Sequence, residues 1–357
     1  MLRYLRVLDF RCFANLDLEI PPEGGIFTGA NAQGKTSVLE AVCLLVRLHS
    51  PRTHRMANVA RVGGQGGFGI AGDAWECERR IDWKPRSPMA HRVDGEFRKS
   101  QSRYLEDGGL VVWMGNEDLE LIRGGGESRR RYLDFIGSQI EPDYRRALHR
   151  YRRALKAKNM LLKDEPVRGD QIASYESVMI EMAAVIRQTR IELMTQLGPW
   201  VAECQREIAG ADEHLECTLE ISGGEDFELA LEQARDKEHR QRRSLVGPHR
   251  DEVRFAINGL TAGDFASEGQ QRTLALALKL GQGRLLTARC HKTPLWLIDD
   301  IFGELDVARR HALLRALPTD AQKWITTTQL QWLDESNGLS ELPQFAVADG
   351  KVARVGG

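Results

Sequence analysis

The sequence predicts an α/β fold: a mixed sheet with helices, built around a phosphate-binding loop and interrupted by a mainly helical second lobe. Three observations predict it. Gly29-Ala30-Asn31-Ala32-Gln33-Gly34-Lys35-Thr36 places four residues between two glycines and then Lys-Thr, the spacing of a phosphate-binding loop. Apolar strand patterns gather near both ends of the chain. Between them lies a stretch of long helical patterns, which puts a discontinuous sheet-bearing domain at 1–115 and 246–357 and a helical insertion at 116–245.

Taken in order, strands are expected at residues 4–10 and 16–20, ended by Pro21-Pro22. A short strand over 25–28 leads into the loop, and a helix over 37–46 follows, with Val38, Leu39, Val42 and Val46 at helical spacing. A basic loop spans 50–55. Residues 68–83 and 91–98 read as antiparallel strands, with Asp94-Gly95 as a hairpin turn, and 110–114 as a buried strand. Helices are expected over 128–140, over 144–163, and from 170 to the Gly198-Pro199 pair. In the last, Ile172, Tyr175, Met179, Met182, Ile186 and Leu193 form a heptad seam, with Thr189 in the missing place. Its short length favours a core seam over an oligomer zipper. A strand over 214–222 and a charged helix over 226–243 complete the insertion. Sheet then returns with Val253, Phe255 and Ile257 alternating before Asn258-Gly259. A helix over 269–286, strands at 295–298 and 324–328 flanking a helix over 307–316, and a hairpin at Asp349-Gly350 close the pattern.

The chain has 357 residues, 42% of them hydrophobic, which suffices for a sizeable core. Its net charge of −1 means that any nucleic-acid site must be a local patch. Six scattered cysteines with no C-x-x-C pair argue against a zinc site and a disulfide framework, and suit a reducing compartment. No apolar run approaches the ~18 residues of a membrane span, and no signal peptide is apparent. A cytoplasmic location is expected.

The loop sits between a strand end and a helix start, where backbone N–H groups and the helix dipole favour phosphate oxygens. Lys35 would reach the terminal phosphates of ATP or GTP, and the Thr36 hydroxyl would complete a Mg²⁺ shell. The apolar run 295–298 ends in Asp299-Asp300, so a carboxylate reaches the same sheet edge. Asp299 would hold Mg²⁺, directly or through water. Asp300 would act as general base or position the attacking water. Nucleotide contacts are expected from Gly29, Ala30, Asn31, Ala32, Gln33, Gly34, Lys35, Thr36 and Ser37.

A third element, Ala266-Ser267-Glu268-Gly269-Gln270-Gln271-Arg272, opens the Leu/Ala-rich helix. It resembles the signature of ABC-type ATPases, in which Ser267, Gly269 and Gln270 would contact nucleotide bound by a second subunit. As an isolated string it equally fits an ordinary Ser N-cap. Its place shortly before the acidic strand gives it weight. Phosphate loop, signature and acidic strand in this order imply an ABC-type P-loop ATPase head whose site is completed by a second copy. Glu304-Leu305-Asp306 matches the loop that crosses that interface.

Further strings carry a closer resemblance: Leu245 to Asp251 (LVGPHRD), Gly124 to Asp134 (GGGESRRRYLD), Tyr151 to Asn159 (YRRALKAKN) and Asp299 to Asp306 (DDIFGELD). Together with the ATPase elements they make the chain similar, over nearly its whole length, to the RecF family of bacterial DNA replication and repair proteins. The family pattern is departed from at Met114-Gly115-Asn116, at the glycines 124–126 and at Ala266. The segment 325–329 also lacks the switch histidine of ABC transporters. The resemblance implies ATP and Mg²⁺, slow hydrolysis coupled to dimer opening, and an ATP-driven homodimer. It also implies a clamp on DNA at single-strand gaps and duplex/single-strand junctions, and work with RecO and RecR in loading RecA. The arginine of the 50–55 loop, Arg52, would lie near the nucleotide.

From Arg129 to Lys163 the chain is dense in Arg and Lys: Arg129, Arg130, Arg131, Arg145, Arg146, Arg150, Arg152, Arg153, Lys156 and Lys158. These fit contacts to DNA backbone phosphates. They equally fit a solvated helix face paired with Glu127, Asp134, Glu141 and Asp143. Pro248-His249-Arg250 fits a rigid structural turn at least as well as a ligand contact. Rival functions fare worse: the insertion is too short for the arms of an SMC-type clamp, no segment is left for a nuclease domain, and the RecF-like strings argue against a transporter subunit.

Overall fold

The computed structural model describes the chain apart from residues 54, 107, 166–168, 211–212, 334–338 and 357. Two compact units emerge, Met1–Asp118 with Leu286–Gly357, and Leu119–Leu285. In chain order the first unit begins with strands β1 (Leu2–Phe10), β2 (Phe13–Glu19) and β3 (Gly24–Thr28) and helix α1 (Lys35–Arg47). Strands β4 (Phe68–Ala74), β5 (Cys77–Trp83), β6 (Ala90–Val93) and β7 (Glu96–Phe97), helix α2 (Gln101–Leu105) and β8 (Val111–Gly115) follow. The second unit holds α3 (Glu120–Arg123), α4 (Gly126–Ile140), α5 (Pro142–Leu161), α6 (Gly169–Ala209), β9 (Leu215–Glu220) and α7 (Phe227–Gln241). It continues with β10 (Glu252–Ile257), β11 (Leu260–Thr261), α8 (Ala262–Phe265) and most of α9 (Glu268–Cys290). The first unit resumes with β12 (Leu295–Asp299), α10 (Val307–Ala316), β13 (Lys323–Thr327), β14 (Gln344–Ala348) and β15 (Lys351–Arg354).

Two sheets build the first unit. One is antiparallel, ordered β2-β1-β4-β5-β6-β7. Along β1, Leu2, Leu5 and Val7 are buried while Arg3 and Arg6 face out, the alternation of a sheet with one wet face. The other is ordered β15-β14-β3-β13-β12-β8 and is parallel except for β15. Every residue of β8 and β13 is buried, as strands covered on both faces require. Its register sets Asp299 beside Thr326 and Gly115, and Thr28 beside Thr327, so the strands end together at one edge. Helix α1 packs against β12 and β13 beneath that edge.

The three Asx-Gly signals are turns. Asp94-Gly95, Asn258-Gly259 and Asp349-Gly350 all have positive φ at both residues, the geometry of tight hairpins. Residues 68–83 form a further hairpin, turning at Trp75-Glu76 with φ of 55° and 66° and no glycine to signal it.

In the second unit, β11-β10-β9 form a small antiparallel sheet beside the helices. Tyr144, Leu148 and Tyr151 of α5, Met179, Met182 and Ile186 of α6, and Phe227 and Leu231 of α7 make one core. The heptad seam is therefore used within the chain, but not at every expected position. Tyr175 is 39% exposed and Thr189 only half-buried, while Glu176 and Arg190 are buried. The buried stripe runs 172, 176, 179, 183, 186, 190, 193, and it carries two charged residues matched by partners on other elements.

Two expectations need correction. Helix α6 does not stop at Gly198-Pro199; it runs through Pro199 to Ala209. Leu197, Val201, Cys204 and Ile208 extend the buried stripe, which offsets the roughly 3 kcal/mol cost of an interior proline. The second unit also ends at Leu285, not at residue 245, because β9 pairs with β10 and so draws the segment after 246 into it.

Candidate nucleotide site

The loop after β3 is shaped by its glycines. A Cβ on Gly34, where φ is 111°, would lie 2.5 Å from Cys12 Sγ and 3.0 Å from the Phe13 ring. A Cβ on Gly29 would fall 2.2 Å from the Val347 carbonyl oxygen. Bare backbone at both positions lets the β1–β2 turn and β14 close on the loop. Gln33 is engaged on two sides: its Oε1 accepts from the Asp349 N–H at 2.8 Å, and its carbonyl faces Cys12 Sγ at 3.7 Å. Its side chain is thus a brace, leaving backbone to meet a ligand. Asn31 and Ala32 are exposed, Ala32 in the left-handed region with φ of 65°, and Ser37 is buried in the first turn of α1.

Lys35 is 6% exposed, and its Nζ donates to the carbonyls of Gly29 and Ala30 at 2.8 and 3.0 Å. Next to it, Thr36 Oγ1 donates to Asp299 Oδ1 at 2.8 Å. Thr326 Oγ1 donates to the same oxygen at 2.6 Å. Burial pushes the Asp299 carboxyl above its usual range, opposed by those two hydroxyls and assisted by the charges of Glu117 and Asp300. Asp300 has φ of 51°, a strained conformation that Asp tolerates better than most residues. Its N–H is held by Thr326 Oγ1 at 3.0 Å, and its Oδ1 accepts from the Thr328 N–H at 3.2 Å. The two acids are therefore aimed by the threonines of the segment that lacks a histidine.

Neither Thr326 nor Glu117 was assigned a role at this site from the sequence. Gly115 faces Asp299 in register, and a Cβ there would lie 2.5 Å from Glu117 Oε2, while Trp113 Nε1 fixes Glu117 Oε1 at 2.6 Å. An apolar strand ending in glycine and followed by an acid was the available signal.

A hydroxyl and a carboxylate in contact beside the loop suit Mg²⁺, which takes one or two protein oxygens and fills its octahedron with water and phosphate oxygens. Thr36 and Asp299 would hold it, and the ion would supply charge neutralisation on the β- and γ-phosphates.

The signature belongs to the second unit. Ser267 Oγ accepts from the Gln270 N–H at 3.3 Å, and Gln270 Oε1 accepts from the Ser267 N–H at 2.8 Å. This reciprocal pair is a capping box for α9. Gln270 Nε2 also donates to Glu213 Oε1 at 2.9 Å. Ser267 is exposed and Gly269 half-buried. In the first unit Asp306 caps α10 through the Arg309 N–H at 2.9 Å, and Val307 beside it is 61% exposed. In the basic loop, Arg52 lies 3.6 Å from the buried Glu40, which also binds Arg11 and Ser50; residue 54 lies outside the described residues.

No protein-family model matches the chain. Whole-chain relatives do. It is 34% identical to the DNA replication and repair protein RecF of Synechococcus sp. (strain JA-3-3Ab), over 93% of this chain and 92% of that one. It is 34% identical to RecF of Symbiobacterium thermophilum over 98% of both chains. The chain belongs to the RecF family. The solved structure of the recombination mediator protein RecF-ATPrS of the RecFOR pathway superposes with a TM-score of 0.88 at 28% identity, covering 99% of this chain and 98% of that one. An Smc head domain from Pyrococcus furiosus, at 15% identity and a TM-score of 0.55, shares the fold alone. Family and fold make this RecF relative an ABC-type ATPase of DNA replication and repair.

The arginine-rich helices α4 and α5 of this RecF relative sort by partner. Lys158 is fully buried and pairs with Glu176 at 2.8 Å and Glu238 at 2.6 Å, so it fits neither of the two expectations, a DNA contact or a solvated helix face. Arg129 is taken by Glu252 and the Gly124 carbonyl, each at 2.7 Å, and Arg145 donates to the Ser138 carbonyl at 3.1 Å. Glu127, Asp134 and Asp143 do pair, with Arg131, Arg152 and Arg146. Arg150 pairs with Glu181 at 3.5 Å, and Arg153 and Lys156 are exposed. A cation that the sequence reading passed over, Arg190, is 2% exposed and binds both Asp134 and Asp251.

Proposed function

We propose that this chain binds Mg²⁺-ATP at Gly29–Thr36, that bound ATP closes a homodimer over DNA, and that hydrolysis reopens it. In this reading the site residues have the following roles. Backbone from Gly29 to Thr36 and the start of α1 bind phosphates, Lys35 reaches the terminal ones, and Ser37 continues the first helical turn. Asp300 draws a proton from, or orients, the attacking water. Ser267, Gly269 and Gln270 meet the γ-phosphate held by a second copy, and Asp306 lies at that interface. In recombinational repair and replication restart the clamp would act at single-strand gaps and duplex/single-strand junctions in the cytoplasm. RecO and RecR are its expected partners in loading RecA, since the similar structure is described as part of the RecFOR pathway.

The observation that carries this reading is the 2.8 Å contact between Thr36 and Asp299, with Asp300 held beside it by Thr326 and Thr328. It joins the loop and the acidic strand into one oxygen-lined site at the edge of a parallel sheet. Single-turnover hydrolysis of radiolabelled ATP tests it. Asp300→Asn is expected to bind ATP as the wild type does and to hydrolyse it about 100-fold more slowly. Unchanged turnover in that variant would remove Asp300 from the mechanism.

A further inference from the structure

Three sequence strings outside the ATPase motifs converge on one cavity in the second unit. The first supplies Arg130 and Asp134 on α4, the second Tyr151 and Arg152 on α5, and the third the turn Pro248-His249-Arg250. The cavity measures about 330 Å³.

Its walls are held firmly. Arg190, 2% exposed, stands at the centre of them. It donates to Tyr144 Oη at 3.2 Å, the Pro248 carbonyl at 2.6 Å, Asp251 Oδ2 at 2.7 Å and Asp134 Oδ1 at 2.8 Å. These bonds tie the 248–251 turn to α4, α5 and α6. The turn also needs Gly247, where φ is 122° and a Cβ would lie 2.5 Å from Tyr151 Oη. His249 Nδ1 is 2.8 Å from the same hydroxyl, and its Nε2 faces the Ser244 carbonyl at 3.4 Å. So the structural reading of Pro248-His249-Arg250 holds for its backbone and leaves its side chains with a surface to form.

The charges on that surface do not cancel. Glu127 is taken by Arg131, and Asp134 by Arg190 and Arg152. Asp251 is spent on Arg190, and nearby Glu252 on Arg129. Two guanidiniums remain that, among the described residues, bind only carbonyl oxygens: Arg130 on Asp251 at 2.8 Å, and Arg250 on Ser244 at 3.4 Å. Burial pushes the Arg130 guanidinium below the usual arginine range; Glu252 and Glu127 oppose this, while Arg190 and Arg250 add to it. A crowded, half-buried cation bonded only to neutral groups gains from an anion that supplies the missing charge.

We propose that this cavity is a phosphate site, in which Arg130 and Arg250 grip one phosphate group and His249 and Tyr151 form its back wall. The planar forks of two arginines match the oxygens of a phosphate. A phosphate has five heavy atoms and fills only part of 330 Å³, leaving room for the sugar of an ester. The group could belong to a nucleic-acid backbone or to a small phosphate ester. The first source rests on the DNA-binding reading above; the second does not.

The test compares the wild type with Arg130→Gln, Arg250→Gln and, as a control, Arg240→Gln, an exposed position on α7 away from the cavity. Saturating Mg²⁺-ADP fills the nucleotide loop throughout, and circular dichroism checks folding. Arg250 is exposed and holds one long carbonyl contact, so its variant keeps the fold even if the Arg130 variant does not. In calorimetric titration with inorganic phosphate, each cavity variant is expected to bind about tenfold more weakly than the wild type, with the control unchanged. For gapped DNA, followed by fluorescence anisotropy across salt concentrations, a backbone source predicts a log–log salt slope shallower by about one for each arginine removed. Weakened phosphate binding with unchanged DNA binding assigns the site to a small ester. Loss in the DNA slope assigns it to nucleic acid. Wild-type phosphate affinity and an unchanged slope in both variants, or no phosphate bound by the wild type and an unchanged slope, would overturn the site.

Discussion

Lys35 and Lys158 are both buried lysines, and they do opposite things. Lys158 has no exposed surface and lies between two carboxylates, those of Glu176 and Glu238. Lys35 is nearly as buried, yet among the described residues its ammonium binds only the carbonyls of Gly29 and Ala30. The first charge is neutralised by the fold and serves to join α5, α6 and α7. The second retains a positive charge for which the described residues supply no anion, beside a loop whose shape favours phosphate. The partner, rather than burial or residue type, separates a structural cation from a functional one.

Substitutions at the two lysines should therefore fail in different measurements. Lys158→Met leaves the buried Glu238 without a paired cation among the described residues and Glu176 with Arg235 alone, 3.9 Å away, and should cost about 3–5 kcal/mol of stability, read as a lower denaturation midpoint. Adding Glu176→Gln and Glu238→Gln to it should recover most of the loss. Lys35→Ala should leave the midpoint near that of the wild type and weaken ATP binding by at least about 100-fold, measured by equilibrium titration. A stability loss at Lys35 as large as at Lys158 would erase the distinction.

A smaller effect comes from His249 on the wall of the arginine cavity. Burial, with Arg250 and Arg130 adding to it and the Ser244 carbonyl and Glu238 opposing it, pushes its imidazole down to about 4. A folded-state value below that of the unfolded chain means the unfolded chain binds the proton first. Stability from this group is therefore full above about pH 6.5 and falls as pH drops toward 4. His249→Gln should flatten that part of the stability–pH curve, measured by denaturation at a series of pH values. An unchanged slope would show that other groups set it.

The same contrast explains what the sequence could and could not convey. The nucleotide loop, the acidic strand and the Asx-Gly turns are local patterns in which spacing alone constrains geometry, and their elements lie within a few residues of the expected places. Arg190 and Lys158 get their roles from partners brought in by other elements: Asp134 and Asp251 for one, Glu176 and Glu238 for the other. No local spacing encodes such pairs. Thr326 was hidden for a similar reason, since only the parallel register of β12 and β13 sets it beside Asp299. Helix α6 outran its expected end because the burial stripe beyond Pro199 outweighed a local break signal. The sequence leaves open which arginines of α4 and α5 are paired, whereas the structure divides them residue by residue.

In the proposed mechanism one chain holds half of a site that a second copy completes. Size separation with light scattering, with and without Mg²⁺-ATP, tests it most directly on the wild type, Asp300→Asn and Ser267→Arg. The prediction is a monomer without nucleotide and a dimer with it for the wild type, a more persistent dimer for Asp300→Asn, and a monomer for Ser267→Arg although it still binds ATP. A wild type that remains monomeric in Mg²⁺-ATP, or a Ser267→Arg variant that dimerises normally, would contradict the claim.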